Sequence, residues 1–259
     1  MNEVNKYSHG IVKDRNRLYW DEFKQMPSPF PPPNEQQRIA SFLDEHGRCV
    51  RDFIRNKRRL IELLNEQKQA IVHHVVASGL DPNAPRKSSG VAWLGDVPEH
   101  WEIKKLKRLA TFNPTKTDAA KTLAPDDKVV FLPMERIGID GHIDATEYRN
   151  ASEVWQGFTY FRRHDVVVAK ITPCFENGKG AYLGDLPTEH GFGTTELIVL
   201  RANKKIDPQY LYLLTTLDTL RILGAESMTG AAGQQHEPVE FLRDFVVPVP
   251  PIPEQRSIL

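Results

Sequence analysis

The stretch from Asn34 to Ser78 contains no proline and a single glycine, Gly47. It follows the proline run Pro27, Pro29, Pro31, Pro32 and Pro33, and it stops before Gly79-Leu80-Asp81-Pro82. Proline before and glycine-proline after punctuate a helix at both ends. Asn34 reads as its N-cap, with Glu35 in the first turn. Apolar residues recur at Leu43, Val50, Phe53, Leu60, Leu64 and Ile71, the alternating three-four spacing of a coiled-coil seam. His46, Lys57, Gln67 and His74 fill the other seam positions and weaken it, while Ile54, Ile61 and Val75 widen the stripe. At 1.5 Å rise per residue a helix over 34–78 is ~65 Å long. Core helices usually stay under ~20 residues, so a rod of this length is a spacer between globular parts or a handle for association.

The chain has 259 residues, room for one large or two modest domains. Its formal net charge is zero, so nucleic-acid binding has to come from local clusters and not from a global basic field. No apolar run is long enough to cross a bilayer, and Met1-Asn2-Glu3 does not open a signal peptide. Cys49 and Cys174 lie in different segments without a CxxC pattern, which suits free thiols. Together these features point to the cytoplasm.

Beyond the rod, Gly79 to Gly90 is a polar connector. Trp93 and Trp101, with Gly95 and Pro98 between them, read as core anchors at the start of a new domain. Strand-like runs follow at Val129–Leu132, Val166–Ala169, Ala181–Leu183 and Glu196–Leu200, punctuated by glycine and proline. From Pro208 to Leu223 the spacing turns helical, with Tyr210, Leu211, Leu214, Leu217, Leu220 and Leu223 on one period. The expected class is α+β: a long coiled-coil-type helix followed by a mixed α/β domain.

The end of the chain repeats its beginning. A shift of 219 residues superposes Pro29, Pro31, Pro32, Glu35, Gln36 and Ile39 on Pro248, Pro250, Pro251, Glu254, Gln255 and Ile258. The repeat unit is therefore a rod plus a globular domain. The chain reads as the tail of one domain, a whole rod, a whole domain and the first residues of a second rod.

These blocks resemble the DNA-specificity subunit of type I restriction-modification systems. The resemblance rests on Pro-Pro-x-x-Glu-Gln opening a long helix, then Gly79-Leu80-Asp81-Pro82, then Trp93-Leu94-Gly95-Asp96-Val97-Pro98-x-x-Trp101. It extends through Asp165–Ala181, Gly191-Phe192-Gly193-Thr194-Thr195-Glu196 and Met228-Thr229-Gly230-Ala231-Ala232-Gly233-Gln234. It implies target-recognition domains that each read one half of a split site on double-stranded DNA. It also implies paired antiparallel helices that space those domains and dock a methyltransferase (modification) subunit, with a restriction motor-nuclease subunit joining for cleavage. On this reading residues 1–33 are the C-terminal remnant of a first recognition domain and 34–78 the conserved spacer helix. Residues 79–92 are a linker, 93–247 a complete recognition domain, and 248–259 the start of a second conserved helical region. Members usually carry two domains and two helices, so this chain is expected to be a truncated form or a half-subunit forming a homodimer through 34–78.

Catalysis is not expected from this chain. Asn113-Pro114-Thr115-Lys116 lacks the second proline and aromatic residue of an adenine methyltransferase motif, and Gly178-Lys179 has no glycine five residues before Gly178 to make a P-loop. His73-His74 suit no common zinc spacing. No cofactor or metal is expected. DNA affinity needs Lys and Arg on phosphates, and specificity needs side chains at base edges. The candidates are Lys116, Lys121, Arg162, Arg163, Lys170, Thr172, Lys179, Gln234, Gln235 and His236. Gln234 or Gln235 suits bidentate reading of adenine, and Lys179 suits a sequence-independent phosphate contact. For Lys170 the competing reading is a structural lysine buried near Glu176. Leu43, Val50, Phe53, Leu60, Leu64 and Ile71 are the candidate helix-pairing positions. The competing function is a degenerate fragment that docks proteins through the rod and binds no specific DNA.

Overall fold

The computed structural model describes Ser8 and residues 18–171, 173–229 and 238–259. Thr172, Gln234, Gln235 and His236 lie outside the described residues. The chain divides into two compact units, 1–63 and 64–259.

In the first unit a short helix α1 (Trp20–Phe23) leads through an extended proline segment into α2 (Pro33–Ser78), the only element shared by both units among the described residues. The helix starts at Pro33, one residue before the expected cap. Proline suits that place because the first helical N–H has no intrahelical acceptor to lose. Asn34 therefore sits inside the first turn, where its Oδ1 accepts from Glu35 N at 2.9 Å. Gln36 Nε2 reaches back to the Pro31 carbonyl at 2.7 Å. Among the described residues of this unit none is buried. The expected stripe residues Leu43, Val50, Phe53, Leu60, Leu64 and Ile71 lie on α2 with 46–61% of their surface exposed.

The second unit begins with the last turns of α2 because Val76 and Ala77 are buried in its core. Gly79 ends the helix at φ +73°, the left-handed conformation that glycine adopts without a Cβ penalty. The expected linker is partly structured: β1 (Arg86–Ser88) pairs antiparallel with β2 (Asp96–Pro98).

Two four-stranded sheets follow. The first has the order β6 (Tyr148–Asn150), β5 (Lys128–Leu132), β10 (His190–Gly193), β7 (Thr159–Arg162). The second has the order β4 (Ala110–Phe112), β11 (Leu197–Ala202), β8 (Val166–Ala169), β9 (Gly180–Tyr182). Only β5 and β10 pair in parallel; the other ladders within these two sheets are antiparallel. Side-chain alternation gives each sheet two apolar faces. Val130, Leu132 and Phe161 of the first sheet share a core with Val167, Ala169, Leu197 and Val199 of the second. The opposite face of the first sheet (Val129, Phe131, Tyr160, Phe192) is covered by α3 (Ala119–Thr122) and α4 (Ala151–Val154). The opposite face of the second sheet (Val166, Val168, Ile198, Leu200) is covered by α5 (Pro208–Thr215), α6 (Asp218–Thr229) and α7 (Pro238–Asp244).

The helical spacing over Pro208–Leu223 is divided between two helices, α5 and α6. Thr215 and Thr216 donate their hydroxyls to the Tyr212 and Leu213 carbonyls, both at 2.7 Å. Such back-bonding competes with the helical ladder, and Asp218 opens the next helix after buried Leu217. Trp101 is fully buried and Trp93 stacks on Phe245 with ring centroids 5.4 Å apart, so both tryptophans are packing anchors. Finally β12 (Val246–Val249) pairs with β3 (Glu102–Lys105), and α8 (Ile252–Ile258) begins.

Candidate nucleic-acid interface

The expected DNA contacts that fall within the described residues separate to the two ends of β8. Before the strand lie Arg162 and Arg163; after it lie Lys170 and Lys179. Four buried residues, Val166 to Ala169, stand between them.

At the first end the cations gather round α3. Arg162 Nη1 meets Asp118 Oδ2 at 3.1 Å, and Arg201 Nη1 approaches the same oxygen at 3.5 Å. Lys121 sits in the last turn of α3, exposed, and its ammonium has no hydrogen bond or ion pair among the described residues. Lys116, one turn earlier, is committed inward. Its ammonium donates to the Trp155 carbonyl and lies 5.8 Å and 5.4 Å from the ring centroids of Trp155 and Phe192. Burial there pushes its pKa down. An open groove of about 520 Å³ runs beside it between α3 and α4, lined by Leu123, Ala151 and Trp155 among others. Arg163 turns away from this group: its Nε donates to Leu186 O at 3.0 Å and its Nη2 to Pro187 O at 3.3 Å.

At the other end Lys179 Nζ donates to the Met134 carbonyl at 3.0 Å, tying the turn after β8 to the end of β5. Lys170 is half-buried, and its Nζ has no hydrogen bond or ion pair among the described residues. Glu176 is exposed and not paired with it, which removes the expectation of a buried Lys170–Glu176 neighbourhood.

Behind the first group lies a polar network that the sequence did not announce. Asp165, 1% exposed, holds Arg201 in a bidentate pair, with Nε–Oδ1 and Nη2–Oδ2 both at 2.8 Å. Burial works against the guanidinium, but the hydrogen bonds and charge of Asp165 outweigh it and raise the Arg201 pKa. Asp165 also accepts from Arg162 N at 2.9 Å, fixing the turn that presents Arg162. Beside it Tyr160 Oη meets His190 Nδ1 at 2.8 Å, and Thr122 Oγ1 meets His190 Nε2 at 2.9 Å. Burial lowers the His190 pKa. The partners in these pairs are 30 to 68 residues apart in sequence. Asn113, at φ +46°, closes the neighbouring edge: it takes the Val199 N–H on Oδ1 at 2.9 Å and gives its own N–H to Val199 O at 2.8 Å. That gives Asn113-Pro114 a structural task at the end of β4.

Among the described residues no three His, Cys, Asp or Glu side chains converge as a metal site, and no helix is long and apolar enough to cross a membrane.

The profile of the family described as type I restriction modification DNA specificity domain matches residues 98–259. The chain is 37% identical over 169 residues to the type I restriction enzyme EcoEI specificity subunit of Escherichia coli, covering 63% of this chain and 27% of that protein. It is 36% identical over 167 residues to the EcoAI specificity subunit of Escherichia coli, covering 63% of this chain and 28% of that protein. The chain thus spans under a third of the length of these relatives. A solved chain from work on complex assembly and conformational transition of the type I R-M system shares the fold at TM-score 0.50 and 19% identity, over 88% of this chain and 50% of that one.

Proposed function

Because the chain belongs to the type I restriction modification DNA specificity family, we propose that it is a non-catalytic, cytoplasmic, sequence-specific DNA-binding subunit that reads one half of a split site. Residues 93–247 act as the recognition domain, α2 as the spacer, and 248–259 as the start of a second conserved helical region. The methyltransferase subunit docks on the helical part, the motor-nuclease subunit joins for cleavage, and a second copy of the chain pairs through 34–78.

The observation that carries this reading is the match of 98–259 to the specificity family, in a unit whose free cations stand at strand-end loops. Lys121 is the exposed phosphate contact at one end of β8. Lys170 and the adjoining turn serve the other. Gln234 or Gln235 is the candidate base reader, with Thr172 and His236 as further candidate DNA contacts. Arg162 and Arg163 are clamped by protein groups and shape the turn.

The test is selection of random duplexes by the full chain, followed by binding titrations across salt concentration. Enrichment of one short sequence, with log affinity falling linearly against log salt, supports the reading. Binding that ignores sequence sinks it. Retention of a methyltransferase subunit without any duplex binding would favour a docking scaffold instead.

A further inference from the structure

The ladder between β8 and β11 runs out onto two charged residues. Its last register pair is Ala169–Leu197. One residue further, Lys170 N donates to Glu196 O at 2.9 Å, which sets Lys170 opposite Glu196. Directly opposed residues of an antiparallel pair carry their side chains side by side on one face. By alternation that face is the one of Val168 and Ile198. It is covered there, where both residues are buried, and it opens at Lys170 and Glu196, which are half-buried.

Opposite charges so placed ordinarily pair across the strands. Here neither the Lys170 ammonium nor the Glu196 carboxylate has a hydrogen bond or ion pair among the described residues. The backbone beneath them is nonetheless fixed. Glu196 N donates to Thr194 Oγ1 at 3.3 Å, Leu197 N to Thr194 O at 3.3 Å, and Thr194 N to Leu132 O at 3.3 Å. Two cations of the neighbouring turns are spent by contrast: Lys179 on the Met134 carbonyl, and Arg136 on Asp144 and Glu147.

The result is one donor and one acceptor, unspent and adjacent, at the ends of two strands. Strands hold such groups more precisely than loops do. A phosphate would engage Lys170 but would be repelled by the carboxylate beside it. A base pair offers the matching set in the major groove: cytosine presents its N4 amino group as donor, and guanine presents O6 and N7 as acceptors.

We propose that Lys170 and Glu196 together read one C·G base pair, with Glu196 accepting from cytosine N4 and Lys170 donating to guanine O6 and N7. This rests on the DNA-recognition reading above and adds Glu196 to its residues.

Selection of random duplexes by the full chain and by two single variants tests the pair. The wild-type motif should contain one C·G position that both variants change. Glu196→Gln should shift that position toward adenine, because glutamine pairs with adenine N6 and N7. Lys170→Met should relax the same position, with discrimination falling about ten-fold, and without the unit loss of salt slope that marks a phosphate contact. Both variants should keep the wild-type Tm. Changes at two different positions, a uniform loss of affinity with a smaller salt slope, or a drop in Tm would each overturn the pair. A wild-type motif that survives both substitutions sinks this inference alone. A wild-type chain that selects no motif sinks the recognition reading with it.

Discussion

Glu254 Oε1 accepts the indole N–H of Trp101 at 3.0 Å, 153 residues away in sequence, while Glu254 Oε2 meets His100 Nε2 at 2.8 Å. Trp101 is fully buried, so this carboxylate answers the one polar atom of its ring and joins the beginning of the second unit to its end. Glu254→Ala leaves the indole unpaired and should cost ~1–3 kcal/mol. Glu254→Gln keeps an acceptor and should cost less. Urea unfolding followed by tryptophan fluorescence measures both, and equal losses would contradict the role given to the hydrogen bond.

Asp165→Asn should be among the most damaging single changes. It removes the bidentate counter-charge of Arg201, whose side chain is 15% exposed, and leaves that cation only the 3.5 Å approach of Asp118. Breaking one side of a buried pair costs about 3–5 kcal/mol. The turn holding Arg162 would loosen as well, since Arg162 N donates to the same carboxylate. Thermal unfolding of the variant is the measurement, and a change under ~1 kcal/mol would place the pair among ordinary surface bridges.

Stability should fall on acidification through His190. Its pKa is lowered by burial, against the pull of Glu189 and Asp118 and alongside the push of Arg162 and Arg201. The unfolded chain, near the ordinary pKa of ~6.5, takes up the proton more readily than the folded one. The stabilisation is thus complete above that value and is lost as pH falls through the lowered folded-state value. Comparing the Tm of wild type and His190→Gln between pH 8 and pH 5 isolates this contribution from that of the other histidines. Parallel curves would refute it.

Lys121 and Lys116 should separate on DNA. Lys121→Ala removes an exposed charge, so affinity should drop alike for all sequences and the salt slope should shrink by about one. Lys116 is spent on Trp155 and Phe192. Its alanine variant should show up in unfolding before it shows up in binding. Anisotropy titrations with one duplex and one scrambled duplex decide between these patterns.

The sequence disclosed the elements whose pattern is local. α2 announced itself by the absence of proline, and β5, β8, β9 and β11 by short apolar runs between glycines. β10 stayed hidden because Gly191 and Gly193 interrupt any apolar run in His190-Gly191-Phe192-Gly193. It is a strand because a Cβ on Gly191 would run into the Phe161 ring, so only glycine lets the two strands close up. β12 was masked by Pro248, which its place beside β3 in a two-stranded sheet tolerates. At the candidate interface the residue types were readable but their employment was not. Arg163, Lys116 and Lys179 look like free cations in a sequence. Each is engaged by backbone carbonyls that the fold brings from 23 to 45 residues away.

The paired bonds Gln36–Pro31 and Gln255–Pro250 carry a consequence for inheritance. Two junctions with the same prolines, the same amide bond and the same Glu-Gln start are interchangeable as splice points. A crossover between them keeps the glutamine-to-proline amide bond at the seam. The segment from one proline pair to the next is therefore bounded at both ends by one kind of helix start.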